Sequence, residues 1–143
     1  MKLARRSDYS LRTLIYLAEN KGRITNHELA QVLGISSNHL YKIVQTLSRA
    51  GYLRTSAGRE GGVELGKSAH EITLLEIIRL VEGPINLSDC FLNADECFLV
   101  SKCKLRKKIK EAQNILIGMF SETTIEDLLD DEKCTDKRET AVT

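Results

Sequence analysis

Leu11, Leu14, Ile15 and Ala18 recur at steps of three and four residues, the period of a helix with one apolar stripe. The spacing predicts a helix over 8–20, with Ser7 as its N-cap. Leu29, Ala30 and Leu33 predict a second, shorter helix over 26–33. Thr25 and Glu28 stand at capping-box spacing, and Gly34 supplies a glycine stop. A third helix is predicted over 37–49, capped by Ser36 or Ser37. Leu40, Ile43, Val44 and Leu47 form its apolar stripe. Asn38, Tyr41, Lys42 and Gln45 form a polar stripe at the same spacing, with Arg49 a turn further. Gly34-Ile35-Ser36 joins these two helices, a turn of helix-turn-helix length. Extended runs at 51–55 and 63–65 flank the glycine-rich stretch 56–62, which predicts a β-hairpin. A hairpin directly after a helix-turn-helix is a wing.

In the second half, Thr73 and Glu76 form another capping box. They open a helix over 73–82 with Leu74, Ile77, Ile78 and Val81 inward, and Gly83-Pro84 ends it. Residues 84–103 read as an irregular loop. A long helix follows over 104–120, where Leu105, Ile109, Ala112, Leu116 and Met119 make a heptad-like seam. Ile115, Ile117 and Phe120 widen its far end. The winged half already has a core, so this seam is expected to meet a second copy in a C2 homodimer. Thr123 and Glu126 predict a capped last turn through Leu129. The expected fold class is mainly α with a small β-hairpin. Three units are expected: a winged helix-turn-helix over 1–67, a loop and dimerisation helix over 68–130, and a flexible tail over 131–143.

Charge sharpens this picture. The 143 residues carry a net +1, but residues 1–67 hold 11 Lys/Arg against 5 Asp/Glu, whereas residues 68–143 hold 10 against 15. A basic first half is the footprint of phosphate binding. The polar stripe of the third helix would then face the major groove. The expected DNA contacts are Ser37, Asn38, His39, Tyr41, Lys42 and Gln45, with Arg59 at the hairpin tip for the minor groove. Glu60 and Glu64 in the same hairpin would repel phosphate. With 42% hydrophobic and 29% charged residues the composition is globular, and no apolar run is long enough to span a membrane. The first residues lead into an amphipathic segment, not an apolar signal, so a cytoplasmic protein is expected.

Four cysteines in that setting favour metal or redox chemistry over a disulfide scaffold. Cys90, Cys97 and Cys103 follow the pattern Cys-x6-Cys-x5-Cys in the loop. Soft thiolates hold zinc or iron–sulfur clusters. The spacing matches neither a zinc ribbon nor a bacterial ferredoxin, so it leaves the metal open. Cys134, His27, His39, His70 or a carboxylate are candidates for a fourth ligand, and Cys134 in the polar tail reads as a free thiol. The three histidines have no nearby partner pattern, and no nucleophile–base pair is legible, so an enzyme is not expected.

Together these segments resemble the winged-helix iron–sulfur repressors that include IscR and NsrR, over roughly residues 1–130. The resemblance is strongest to the nitric-oxide-sensing NsrR branch. Asp8-Tyr9-Ser10-Leu11-Arg12, Ile35-Ser36-x-Asn38-His39-Leu40-x-Lys42, Gly58-Arg59-x-Gly61-Gly62-Val63-x-Leu65 and the three-cysteine loop carry it. The resemblance implies a homodimeric repressor on a double-stranded DNA operator, with nitric oxide as its signal. It implies one [4Fe–4S] cluster per subunit on Cys90, Cys97 and Cys103, with Asp8 reaching across from the other subunit. IscR-like members place a histidine three residues after the third cysteine; Arg106 stands there in this chain, which argues against a [2Fe–2S] cluster of that kind. Glu60 replaces the usual wing glycine. An iron- or redox-responsive regulator of the same family is the alternative.

Overall fold

The computed structural model describes residues 2–59, 61–93, 97–99 and 101–129. Its elements run α1 (Arg5–Glu19), α2 (Asn26–Leu33), α3 (Ser37–Arg49), β1 (Leu53–Ser56), β2 (Gly62–Leu65), α4 (Leu74–Glu82) and α5 (Lys104–Glu122). Short 3₁₀ turns at Ala69–Glu71, Asp89–Phe91 and Glu126–Leu128 link or follow them.

Helices α2 and α3 begin and end where their local signals lie. The Thr25 hydroxyl accepts the Glu28 N–H at 3.2 Å, and the Glu28 carboxylate accepts the Thr25 N–H at 3.0 Å. The Thr25 hydroxyl also donates to that carboxylate at 2.7 Å. These bonds from Thr25 hold the Glu28 carboxyl below the usual carboxylate range. Gly34 adopts φ 65°, a left-handed stop open to glycine at little cost. Ser36, not Ser37, caps α3.

Two caps differ from expectation. Helix α1 starts at Arg5, not near residue 8, with Ala4 as N-cap. No side chain caps this end; the Ala4 N–H donates to Glu82 Oε1 at 2.9 Å, which ties the start of α1 to α4. Ser7 lies inside the first turn, fully buried. At the other end, the last turn is capped by Thr124 and Asp127, not by Thr123 and Glu126. Thr123 is already engaged: it ends α5, its hydroxyl donates to the Met119 carbonyl, and its own carbonyl accepts the Leu74 N–H.

One core serves both halves. Leu14, Leu17, Leu29, Leu40, Leu47 and Val63 fill it from the winged half, and Ile72, Ile77 and Ile125 complete it from the second. The Ile125 N–H donates to the Ile72 carbonyl at 2.8 Å, which ties the chain after α5 to the entry of α4. In α4 the inward residues are Leu75, Ile77 and Ile78; Leu74 and Val81 are only half-buried. The hairpin pairs Leu53 with Leu65 and Ser56 with Gly62, antiparallel. Ile24 extends it by a bridge to Val63. A Cβ on Gly62 would sit 2.7 Å from the Ile24 carbonyl oxygen, so this close approach admits only glycine.

The seam expected on α5 splits into two faces. Ile109 and Leu116 turn toward the protein's own body, whereas Leu105, Ala112, Ile115 and Met119 face outward. Leu105 and Ile115 are 67% and 69% exposed. Gln113 is buried on the inner face, where its side-chain carbonyl accepts the Leu87 N–H at 3.0 Å.

Candidate nucleic-acid interface and cysteine loop

The two stripes of α3 separate cleanly. Leu40, Ile43, Val44 and Leu47 are buried, so the opposite face must point to solvent. A groove of about 720 Å³ runs along it. Asn38, His39, Lys42 and Gln45 line this groove, joined by Ser36 and Thr46. Ser37 and Tyr41 are exposed on the same helix but do not line it. Amides, a hydroxyl and an ammonium on one solvated face can read base edges and bind phosphate. Arg59 is exposed beyond β1 in the wing, next to Gly58 with φ 102°. Glu60 lies outside the described residues. Glu64 is held by Arg23 at 3.2 Å, so part of its charge is answered within the chain.

Sequence reasoning missed the contribution of α1 to this face. Arg6 lines the same groove. Its signal was weak, because the predicted helix began after it. The Tyr9 ring meets the His39 ring edge-on, with centroids 5.4 Å apart and planes at 90°. Asp8, next to Tyr9, is 42% exposed and accepts Arg12 Nε at 3.0 Å. One helical stretch therefore joins Asp8 to the first turn of α3.

The cysteines sit on distinct local frames. Cys90 lies in the 3₁₀ turn Asp89–Phe91, with Sγ 3.1 Å from Ser88 Oγ. Cys103 is the N-cap of α5, and its Sγ accepts the Arg106 N–H at 3.3 Å. Cys97 is half-buried at the start of the short described stretch 97–99. All three are free thiols. Among the described residues, no three His, Cys, Asp or Glu side chains converge as a metal-binding group. Cys134 lies outside the described residues; His27 and His70 are exposed.

The surroundings of Cys103 are strongly cationic. A cavity of about 660 Å³ is walled by Phe91, Cys103, Lys102, Arg106, Lys107 and Lys110, among others. Arg106 and Lys110 stand over the Phe91 ring at 5.7 and 5.3 Å. Arg106 Nε is buried with no hydrogen-bond partner among the described residues. Cationic side chains and a helix N-terminus beside Cys103 complement an anionic group held there. Soft donors in such a setting suit a thiolate-ligated iron–sulfur cluster, which is itself anionic. Gln113, also missed from sequence, fixes the entrance to this loop through Leu87. Its spacing from Ile109 and Leu116 places it on the inner stripe, which is the signal that finds it.

A polar reading helix, a wing and a buried three-helix core define a winged-helix DNA-binding transcription regulator. The model of the Rrf2 family, described as iron-dependent transcriptional regulators, matches residues 3–131, and the chain belongs to that family. It is 36% identical over 132 residues to the HTH-type transcriptional regulator NsrR of Bacillus subtilis (strain 168), covering 90% of each. Among solved structures it is similar to a protein of Listeria innocua, with a TM-score of 0.77 at 27% identity, covering 99% of this chain and 97% of that one. It is also similar to CymR, the global cysteine regulator of B. subtilis, with a TM-score of 0.71 at 26% identity, covering 90% and 95%. The Rrf2 family and NsrR are transcriptional regulators, not enzymes. No helix of the described residues is long and apolar enough to cross a membrane.

Proposed function

We propose that this chain is a homodimeric cytoplasmic repressor whose operator affinity is set by a [4Fe–4S] cluster that reacts with nitric oxide. The observation that carries the reading is the free, half-buried cysteine set, with Cys103 capping a cation-rich helix start, in a chain 36% identical to NsrR. Cys90, Cys97 and Cys103 would hold the cluster, with Asp8 of the partner subunit as fourth ligand. Bound there, it would supply iron that nitric oxide attacks. Residues 1–67 read DNA, and residues 68–130 sense and pair; the tail from 131 lies outside the described residues.

The chain's own residues give the coupling. Asp8 is partly exposed, and Arg12 Nε donates to it at 3.0 Å. A hard carboxylate would be a weak partner for soft cluster iron, so Asp8 would be the most weakly held of the four ligands. Tyr9 follows it directly and abuts His39 in the first turn of α3. A shift of α1 at Asp8 therefore reaches the reading helix through one ring contact. The shift required is small, since a coupling of about 1–3 kcal/mol changes affinity roughly 5–150-fold.

The outward residues of α5 support pairing. Leu105, Ala112, Ile115 and Met119 form an exposed apolar strip among the described residues. A second copy of α5 against it gives a closed C2 dimer. A second reading, an iron- or thiol-redox-responsive regulator, draws on the free cysteines and on the likeness to CymR.

The test is anaerobic purification, absorption and Mössbauer spectra before and after nitric oxide, and operator affinity on the same samples. Cluster spectra that vanish with nitric oxide, in step with weaker operator binding, are expected. Colourless, iron-free protein with full affinity overturns the sensor. A response to iron removal or disulfide formation alone selects the second reading.

A further inference from the structure

We propose that Arg6 is a DNA-backbone contact, so that α1 grips a phosphate beside the groove read by α3. This rests on the reading of α3 as the DNA face. Arg6 shares the groove wall with Asn38, His39, Lys42 and Gln45, although it lies some thirty residues earlier in the chain. The walls hold two cations, Arg6 and Lys42, and no carboxylate. A groove of that sign and lining suits a polyanion.

The turn that carries Arg6 is fixed by backbone contacts, while its side chain has no ion-pair partner among the described residues. Its carbonyl accepts the Ser10 hydroxyl at 2.7 Å. Two residues earlier, the Ala4 carbonyl accepts the N–H groups of Ser7 and Asp8, and the Ala4 N–H is tied to Glu82. The Arg6 side chain is exposed and forms no salt bridge among the described residues. The nearest acid in sequence, Asp8, is engaged by Arg12. An uncommitted guanidinium on an anchored turn offers paired donors with the fork geometry of phosphate. Arg5, its neighbour, is also exposed but does not line the groove. The polar face of α3 supplies base readout; Arg6 supplies register without sequence information.

The test uses the full chain as purified, with its operator and an unrelated duplex of equal length, across a range of salt. Arg6→Gln should weaken both by a similar factor, on the order of tenfold for the two copies in a dimer. The slope of log affinity against log salt should fall by about one per subunit. Arg6→Lys should keep the slope near wild type, and Arg5→Gln should leave it nearly unchanged. Thermal melting controls for folding. Unchanged affinity and slope in Arg6→Gln overturn the proposal, as does an equal loss in Arg5→Gln, which reports only net charge. Loss confined to the operator makes Arg6 a base reader and also overturns it. Gln45→Ala separates the two layers. If it weakens the operator while Arg6→Gln does not, only the Arg6 contact fails; if neither matters, the assignment of the α3 face fails with it.

Discussion

Leu40→Ala separates the two stripes of α3. Leu40 has no solvent exposure, so its whole side chain counts as core. Removing its outer carbons loses their transfer free energy and leaves a cavity that tightly packed neighbours fill only in part. Leucine-to-alanine changes at such sites cost about 2–5 kcal/mol, and the complete burial here argues for about 3. Small domains have about 5–15 kcal/mol in total, so the variant stays folded but loses much of its reserve. With a urea slope of about 2 kcal/mol per molar, the midpoint should fall by about 1.5 M. The melting temperature should fall by about 10 °C. Circular dichroism at one fixed protomer concentration measures both, since dimerisation adds to apparent stability. Operator affinity, taken well below the melting range, should change less than about threefold, because the reading residues lie on the other face. A stability loss under about 1 kcal/mol would show that Leu40 is not a core anchor. A tenfold affinity loss in folded protein would show that the two stripes are not independent.

Thr25→Ala should lower the melting temperature by about 3–5 °C at neutral pH through loss of the α2 cap. The Glu28 carboxyl is lowered from 4.5 by its bonds to Thr25, so that stabilisation is full above pH 4.5 and fades as pH falls through the lowered value. The gap between wild type and variant should therefore narrow in acid, and a gap that widens there refutes the capping account. Ile115→Glu combined with Met119→Glu should shift sedimentation from dimer toward protomer at micromolar concentration; an unchanged dimer would place the interface elsewhere.

Much of this protein is legible in its order of residues, because the governing forces act over a turn or a strand pair. Thr25 meets Glu28, Thr73 meets Glu76, and Gly34 turns left-handed, each within a few positions. The stripe on α3 settles its buried side for the same reason, and its solvent side follows by exclusion. The chain itself supplies the three thiols of the loop, but the described residues do not gather them into a metal-binding group.

Packing decided the rest. The Ala4 N–H is tied to Glu82, 78 residues away, and α1 starts at Arg5, so the expected cap Ser7 falls inside the helix. Thr123 is drawn to Leu74, so the last cap moves to Thr124. The seam of α5 divides because only one side of that helix finds a core to cover, leaving Leu105, Ile115 and Met119 outward. Arg6 and Tyr9 reach α3 only once three helices have closed around Leu14 and Leu40. Periodicity tells which residues share a face, but what that face meets depends on contacts between distant segments, and those exist only in the folded chain.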